Sequence, residues 1–162
     1  MNSERLLFRH YAATDFEDYF KLVSNADVMK MVTGKPDLEL DARKRLQKML
    51  KINQEYPKIG NFKISLKLDS DFVGHAKLVM TKKNEAEIGY LLMPEHWGKG
   101  YGSEIAEALV NLAKQVDEIQ SLMANIAPEN IASKRILEKQ GFVWDYDGEY
   151  IGLPAAYYKM KL

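Results

Sequence analysis

Pro94-Glu95-His96-Trp97-Gly98-Lys99-Gly100-Tyr101-Gly102-Ser103-Glu104 sets three glycines at alternate positions between segments of opposite periodicity. Before it, Glu87 to Met93 is an apolar, strand-like run. After it, Ile105, Ala108, Leu109, Leu112, Ala113 and Val116 keep the i, i+3, i+4, i+7 rhythm of a helix with one buried face. A glycine-rich loop opening a helix turns backbone N–H groups outward at the positive end of the helix dipole, which favours an anion, phosphate above all. The spacing narrows the guest. A P-loop needs Ser or Thr after Gly-Lys, but Gly100 follows Lys99, and a dinucleotide or kinase loop needs a third glycine where Ser103 stands. A dinucleotide loop also follows the first strand of its βαβ unit, whereas this one lies past the middle of the chain. On the loop alone, a phosphate site and a plain strand-to-helix turn remain alternatives, because glycine serves any strained turn.

The chain of 162 residues is long enough for one domain with a substantial core, so residues 1–162 are expected to form a single domain. Its 23 basic and 23 acidic residues cancel, giving no global field to recruit nucleic acid. Without cysteine there is no disulfide framework, thiolate metal site or cysteine nucleophile. The polar start, Asn2 to Arg5, lacks the apolar core of a signal peptide, and no apolar run approaches the roughly 20 residues of a membrane helix. The expectation is a soluble cytoplasmic protein.

Outward from the loop, an element order emerges. Arg5 to Tyr11 reads as a strand, with Leu6 and Phe8 on one face. Thr14 opens a helix with Glu17 at capping-box spacing, and Asn25 to Val32 adds a helical turn before the Gly34-Lys35-Pro36 break. A helix from about Leu40 to Gln54 follows. Asn61 to Leu68, Phe72 to Thr81 and Glu85 to Met93 then form an antiparallel meander around polar turns. Gly89 within the last of these strands marks a bulge or a close ligand approach. Beyond the loop helix come a strand from Gln120 to Ala127 and a helix from Pro128-Glu129-Asn130 to about Gln140, ended by Gly141. Phe142 to Asp147 and Ala155 to Leu162 are the closing strands. The pattern is mixed α/β.

Asn130-Ile131-Ala132-Ser133 with Glu138-Lys139-Gln140-Gly141-Phe142 is, by itself, an amphipathic helix with a charged face. Its place after strand, glycine loop, helix and strand makes it more informative. The chain here resembles the GNAT superfamily of N-acetyltransferases. Its loop looks like that family's pyrophosphate loop, Q/R-x-x-G-x-G/A, with Trp97 at the Gln/Arg position, Gly100 in the middle and Gly102 last. The Asn-x-x-Ser…Glu-Lys-x-Gly-Phe segment looks like the family's second block. His96 to Tyr101 together with Asn130 to Ser133 is most similar to the branch of ribosomal-protein N-terminal acetyltransferases. The resemblance implies an α/β (α+β) fold, a mostly antiparallel sheet of about seven strands flanked by about four helices.

It also implies acetyl-CoA as donor and a primary amine as acceptor, on a protein N-terminus or a small molecule. The alternative is a non-catalytic acyl-CoA-binding or sensing module on the same fold. Neither nucleic acid, membrane nor metal is expected, and the state is monomer or homodimer. Gly98, Lys99, Gly100, Tyr101, Gly102 and Ser103 would hold the pyrophosphate, chiefly through backbone N–H groups. Lys99 reads equally as a solvated lysine, and Glu104 should point away from phosphate. By resemblance, the pantetheine arm pairs with the backbone of Leu91, Leu92 and Met93, where an N–H also serves the oxyanion. Asn130 bonds the pantetheine end or the substrate region, beside its alternative as a helix N-cap. Glu87 is the candidate base for an ammonium that must lose a proton, beside its alternative as an exposed strand carboxylate. Leu137 stands where many members have a proton-donating tyrosine, which leaves Ser133 or water for the leaving thiolate. Met29, Met31 and Lys35 are expected near the acceptor, by the same analogy.

Overall fold

Apolar alternation builds the strands and 3.6-residue periodicity builds the helices that cover them. The computed structural model describes residues 3–162. Among these, seven strands lie in one sheet: β1 (Leu6–His10), β2 (Gly60–Leu66), β3 (Phe72–Lys82), β4 (Glu85–Leu92), β5 (Ser121–Ile126), β6 (Val143–Tyr150) and β7 (Leu153–Lys161). Their order is β1-β2-β3-β4-β5-β7-β6. All neighbouring pairs are antiparallel except β4 and β5, which run parallel. Five helices complete the fold: α1 (Phe16–Val23), α2 (Ala26–Met29), α3 (Glu39–Glu55), α4 (Tyr101–Ala113) and α5 (Ile131–Lys139). The short α2 is the helical turn expected after Asn25, whose side chain caps it by accepting from the Asp27 and Val28 N–H groups.

Alternation along β4 divides the core in two. Ala86 and Ile88 face the cluster under α4 and α5, where Ile105, Leu109, Ala113 and Leu137 are buried. Leu91 packs on the opposite cluster, formed by Phe16, Tyr19, Leu22 and Val23 of α1, Met29 of α2 and Leu46 of α3. Each fully buried Leu or Ile contributes about 1.5–3 kcal/mol relative to an exposed one, which fixes α4 and the loop before it onto the sheet.

The decisive feature is a split between the two parallel strands. β4 pairs with β5 only at Glu85↔Ser121, Ala86↔Leu122 and Glu87↔Met123. From Ile88 onward β4 has no neighbour on that side and stays with β3 instead. Gly74 makes this possible, because a Cβ there would lie 2.0 Å from the Leu91 carbonyl oxygen. Just beyond, the Met93 N–H donates to the Val73 carbonyl (2.9 Å).

Three local expectations are corrected. Thr14 and Glu17 make no capping box. A 3-10 turn at Ala13–Asp15 precedes α1, and the Asp15 carboxylate takes the Ala12 N–H (2.7 Å) while bound to Arg9 and Lys63. A buried Asp held by two cations outcompetes a threonine for the chain entry. Gly89 is not a bulge: it pairs regularly with Lys77, and the register shifts between Met80 and Lys82 instead. A Cβ at Gly89 would sit 2.8 Å from Lys77 Cε, so the glycine makes room for the lysine stem. Finally, β6 continues to Tyr150, three residues past Asp147, because its pairing with β7 extends to the Ile151-Gly152 turn.

Candidate active site

The loop after β4 is held from outside and open inside. Gly98 and Gly100 have φ of +72° and +83°, conformations that favour glycine, and a Cβ at Gly98 would meet nothing within 4 Å. The N–H groups of Gly98 through Ser103 have no protein acceptor among the described residues, as the first turn of a helix requires. Arg5 fixes the outer side. Its guanidinium donates to the Lys99 carbonyl (3.0 Å), pairs with Glu104 (2.8 Å) and lies 4.4 Å from the centre of the Tyr101 ring. Glu104 therefore points away from the loop interior, as expected. Burial acts to raise its pKa, but hydrogen bonds from Ser3 and Arg5 outweigh this and hold it below the usual carboxylate value.

A cavity of about 440 Å³ lies against this loop, bounded by Gly98, Gly100, Tyr101, Gly102 and Ser103, by Tyr90 to Leu92, and by Asn130, Ser133 and Ile136. Gly102 has a packing role as well: a Cβ there would come within 3.0 Å of Ile136 Cδ1 and 3.3 Å of Tyr90 Cε2. Lys99 is exposed and does not border the cavity; its carbonyl, gripped by Arg5, is the part that shapes the loop. Trp97 closes the near end, its indole N–H donating to the Leu92 carbonyl (2.8 Å).

A second cavity of about 350 Å³ opens where β4 and β5 part, bounded by Glu87 to Leu91 on one side and Ala124 to Ala127 on the other. Its remaining wall comes from Met29 to Val32 after α1, from His75 and Lys77 on β3, and from Tyr150 and Leu153 to Ala155 on the last hairpin. Lys35 is not part of this wall. Tyr90, Leu91, Asn130 and Ser133 border both cavities, so the two meet at the split.

Glu87 sits just where pairing ends. Its Oε1 accepts from Lys77 Nζ (2.7 Å) and Asn125 Nδ2 (3.0 Å), leaving Oε2 without a donor among the described residues. Asn130 is the N-cap of α5, its Oδ1 accepting the Ser133 N–H (3.1 Å), and its amide NH2 has no partner among the described residues, so capping and ligand binding are compatible. Ser133 Oγ accepts from the Tyr90 hydroxyl (3.4 Å). Of the β4 residues expected to carry a ligand's backbone pairing, Met93 has its N–H committed to Val73 and its carbonyl to the His96 N–H. Backbone alternation then turns the Leu92 groups toward the open side, where Trp97 takes the carbonyl and the N–H faces the cavity edge. Leu91 borders both cavities. Leu137 is buried, 2% exposed, and supplies no proton.

Sequence reasoning missed Arg5, Tyr90, His75, Lys77 and Asn125. Burial pushes the His75 imidazole down to about 3, helped by the Lys77 charge, so it is neutral at physiological pH, and its Nδ1 is buried without a partner among the described residues. The strand alternation of His75, Lys77 and Gly89 was a visible signal, but only the sheet register shows that they face Glu87.

The model of the Acetyltransferase (GNAT) domain matches residues 5–143, from the arginine that grips the loop to the first residue of β6. The chain belongs to the GNAT family. That membership makes it an acyltransferase. A relative, the uncharacterized N-acetyltransferase YnaD of Bacillus subtilis, is 28% identical over 144 residues, covering 87% of this chain and 81% of its own. A GNAT acetyltransferase structure from Bacillus anthracis superposes with a TM-score of 0.84 at 26% identity, over 99% of this chain and 97% of that one. RimL, a ribosomal L7/L12 alpha-N-protein acetyltransferase solved with coenzyme A, has a TM-score of 0.82 at 17% identity, covering 99% and 96% respectively. GNAT proteins use acetyl-CoA, and the free N–H groups from Gly98 to Ser103 beside an open cavity fit its pyrophosphate. No helix among the described residues is long and apolar enough to cross a membrane.

Proposed function

We propose that residues 1–162 act as one acetyltransferase domain that moves an acetyl group from acetyl-CoA directly to a primary amine. The observation that carries this reading is the meeting of two cavities at the β4–β5 split, one built on the open glycine loop and the other on Glu87. A thioester whose phosphates lie on Gly98 to Ser103 reaches the split along the unpaired edge of β4, where the Leu92 N–H offers pairing while Trp97 holds the Leu92 carbonyl. The acceptor enters past Met31 and Tyr150.

Each residue then has a task. Backbone N–H groups of the loop bind phosphate through the helix dipole and direct hydrogen bonds. The open edge of β4 orients the arm and offers an N–H to the developing oxyanion. Glu87, with Oε2 free and Oε1 fixed by Lys77 and Asn125, takes the proton that the attacking ammonium must lose, directly or through water. Neutral His75 offers an unprotonated ring nitrogen to the amine without repelling it. No covalent enzyme intermediate is needed, since the chain has no cysteine. The acceptor class, protein N-terminus or small amine, follows from the side chains of the second cavity and not from the fold.

The test is release of CoA thiol from acetyl-CoA across a panel of amines: N-terminal peptides, polyamines and amino acids. At least one amine should drive release at a rate well above hydrolysis. Glu87→Gln should lower kcat by about 10²-fold, in the range for removal of a general base, with acetyl-CoA affinity unchanged. Its deficit should shrink as pH rises toward the acceptor's own pKa. A variant that matches wild type across pH would remove Glu87 as base, and no amine-dependent release with any acceptor would refute the acetyl-transfer reading.

A further inference from the structure

The proposed reaction expels a thiolate, and a proton must reach sulfur at the place where the two cavities meet. Six residues border both cavities: Met31, Val32, Tyr90, Leu91, Asn130 and Ser133. Only Tyr90 and Ser133 carry a hydroxyl, and a phenol is a far stronger acid than a serine alcohol. Tyr90 projects from β4 toward the N-terminus of α4, its ring against Gly102, and its hydroxyl donates to Ser133 Oγ at 3.4 Å. Asn130 pins Ser133 by accepting its N–H. Leu137, on the next turn of α5, is apolar and buried.

We propose that Tyr90 is the general acid of this enzyme and that Ser133 is the positioning residue that relays its proton, an inference that rests on the acetyl-transfer reading above. In the step, the amine nitrogen bonds to the acetyl carbon, and the carbon–sulfur bond breaks with its electron pair going to sulfur. The Tyr90 hydroxyl rotates from Ser133 and gives its proton to sulfur. The Ser133 hydroxyl gives its own to the Tyr90 oxygen and is refilled from solvent water. The proton shed by the amine leaves through Glu87, so charge and atoms balance. Phenol, near 10, and thiol, near 8.5, are matched closely enough for transfer as sulfur gains charge. Burial raises the Tyr90 pKa and the Ser133 hydrogen bond partly offsets this, so the phenol keeps its proton at neutral pH.

Tyr90→Phe is the test, because it keeps the ring that packs on Gly102. With acetyl-CoA, kcat should fall about 10²-fold while KM for the donor is unchanged. With the selenoester analogue of acetyl-CoA, whose selenolate is a weaker base and leaves without a proton, the loss should be several times smaller. Ser133→Ala should show the same donor dependence in milder form. A binding measurement needs no turnover: at pH 9 the wild type should bind CoA about tenfold more tightly than desulfo-CoA, and Tyr90→Phe should bind both equally. An equal loss with thioester and selenoester, or a CoA preference that survives in Tyr90→Phe, would overturn the assignment. A wild type that turns over no amine would instead refute the acetyl-transfer reading, and the CoA and desulfo-CoA comparison would still decide whether Tyr90 meets the sulfur.

Discussion

The two sides of the β4–β5 split are built from different materials. The glycine-loop side is main chain: six consecutive residues present N–H groups, and side chains such as Arg5 and Trp97 serve to hold them. The Glu87 side is side chain: Met29 to Val32, His75, Lys77, Asn125, Tyr150 and Leu153 converge from four stretches of sequence. A backbone site recognises what every donor shares, whereas a side-chain site is free to vary with the acceptor. On the proposed reading, a common donor and a variable acceptor on one fold follow from this division.

The largest expected effect breaks the backbone side. Gly100→Glu forces a side chain into a φ of +83°, its Cβ 3.4 Å from Arg5 Nη2, so the carboxylate competes for the Arg5 grip on the loop and adds a negative charge at the start of α4. The strain costs about 1–3 kcal/mol, which should lower the melting temperature by a few degrees without unfolding the chain. Calorimetry should show acetyl-CoA binding weakened at least about a hundredfold, since the helix-terminus site turns from attracting to repelling an anion. Unchanged affinity would dissolve the contrast between the two sides.

The same contrast explains what the sequence revealed. Glycine spacing followed by an amphipathic helix exposed the loop, and the Asn130-to-Phe142 block carried the family resemblance, because a backbone site is contiguous by construction. Glu87 was legible as a polar residue in an apolar strand. Its partners were not: Lys77 is ten residues away and Asn125 is 38, joined only by the register of β3 with β4 and the parallel β4–β5 pairing. Tyr90 and His75 were hidden by alternation that any half-buried strand shows. Arg5 was hidden because its partners are the Lys99 carbonyl and Glu104, nearly a hundred residues on. The misplaced Thr14 cap has the same cause, since Arg9 and Lys63 from two strands select Asp15 instead.

An intermediate effect tests the side-chain side through pH. The folded His75 has a pKa of about 3, against an unfolded value near 6.5. Between these values the unfolded chain binds one proton more than the folded one, so stability falls as pH drops below about 6.5. The slope from this one group approaches about 1.4 kcal/mol per pH unit. Asp15 adds a later loss, because its Arg9 hydrogen bonds hold its pKa well below the ordinary carboxylate range. That contribution is present above about 4 and disappears on further acidification. Urea unfolding of wild type and His75→Gln at pH 7 and pH 5 should give a stability difference that narrows or reverses at the lower pH. Parallel pH dependence in the two proteins would show that His75 is not held neutral in this cavity.

The smallest expected effect is the sharpest check on the backbone side. Lys99 lies within the glycine loop and carries the one cationic side chain between Gly98 and Ser103, so a charge-based phosphate site would depend on it. In the structure its side chain is exposed, while its carbonyl is the group bound, by Arg5 at 3.0 Å. Lys99→Ala keeps that carbonyl and every loop N–H. Acetyl-CoA affinity should therefore stay within about threefold of wild type at 0.15 M salt, where an exposed charge is worth less than about 1 kcal/mol. Arg5→Ala, by contrast, releases the Lys99 carbonyl and Glu104 together and should weaken the donor more than removal of the loop's own lysine. If Lys99→Ala proves the more damaging of the two, the donor side is held by side-chain charge, and the division between a main-chain donor site and a side-chain acceptor site falls.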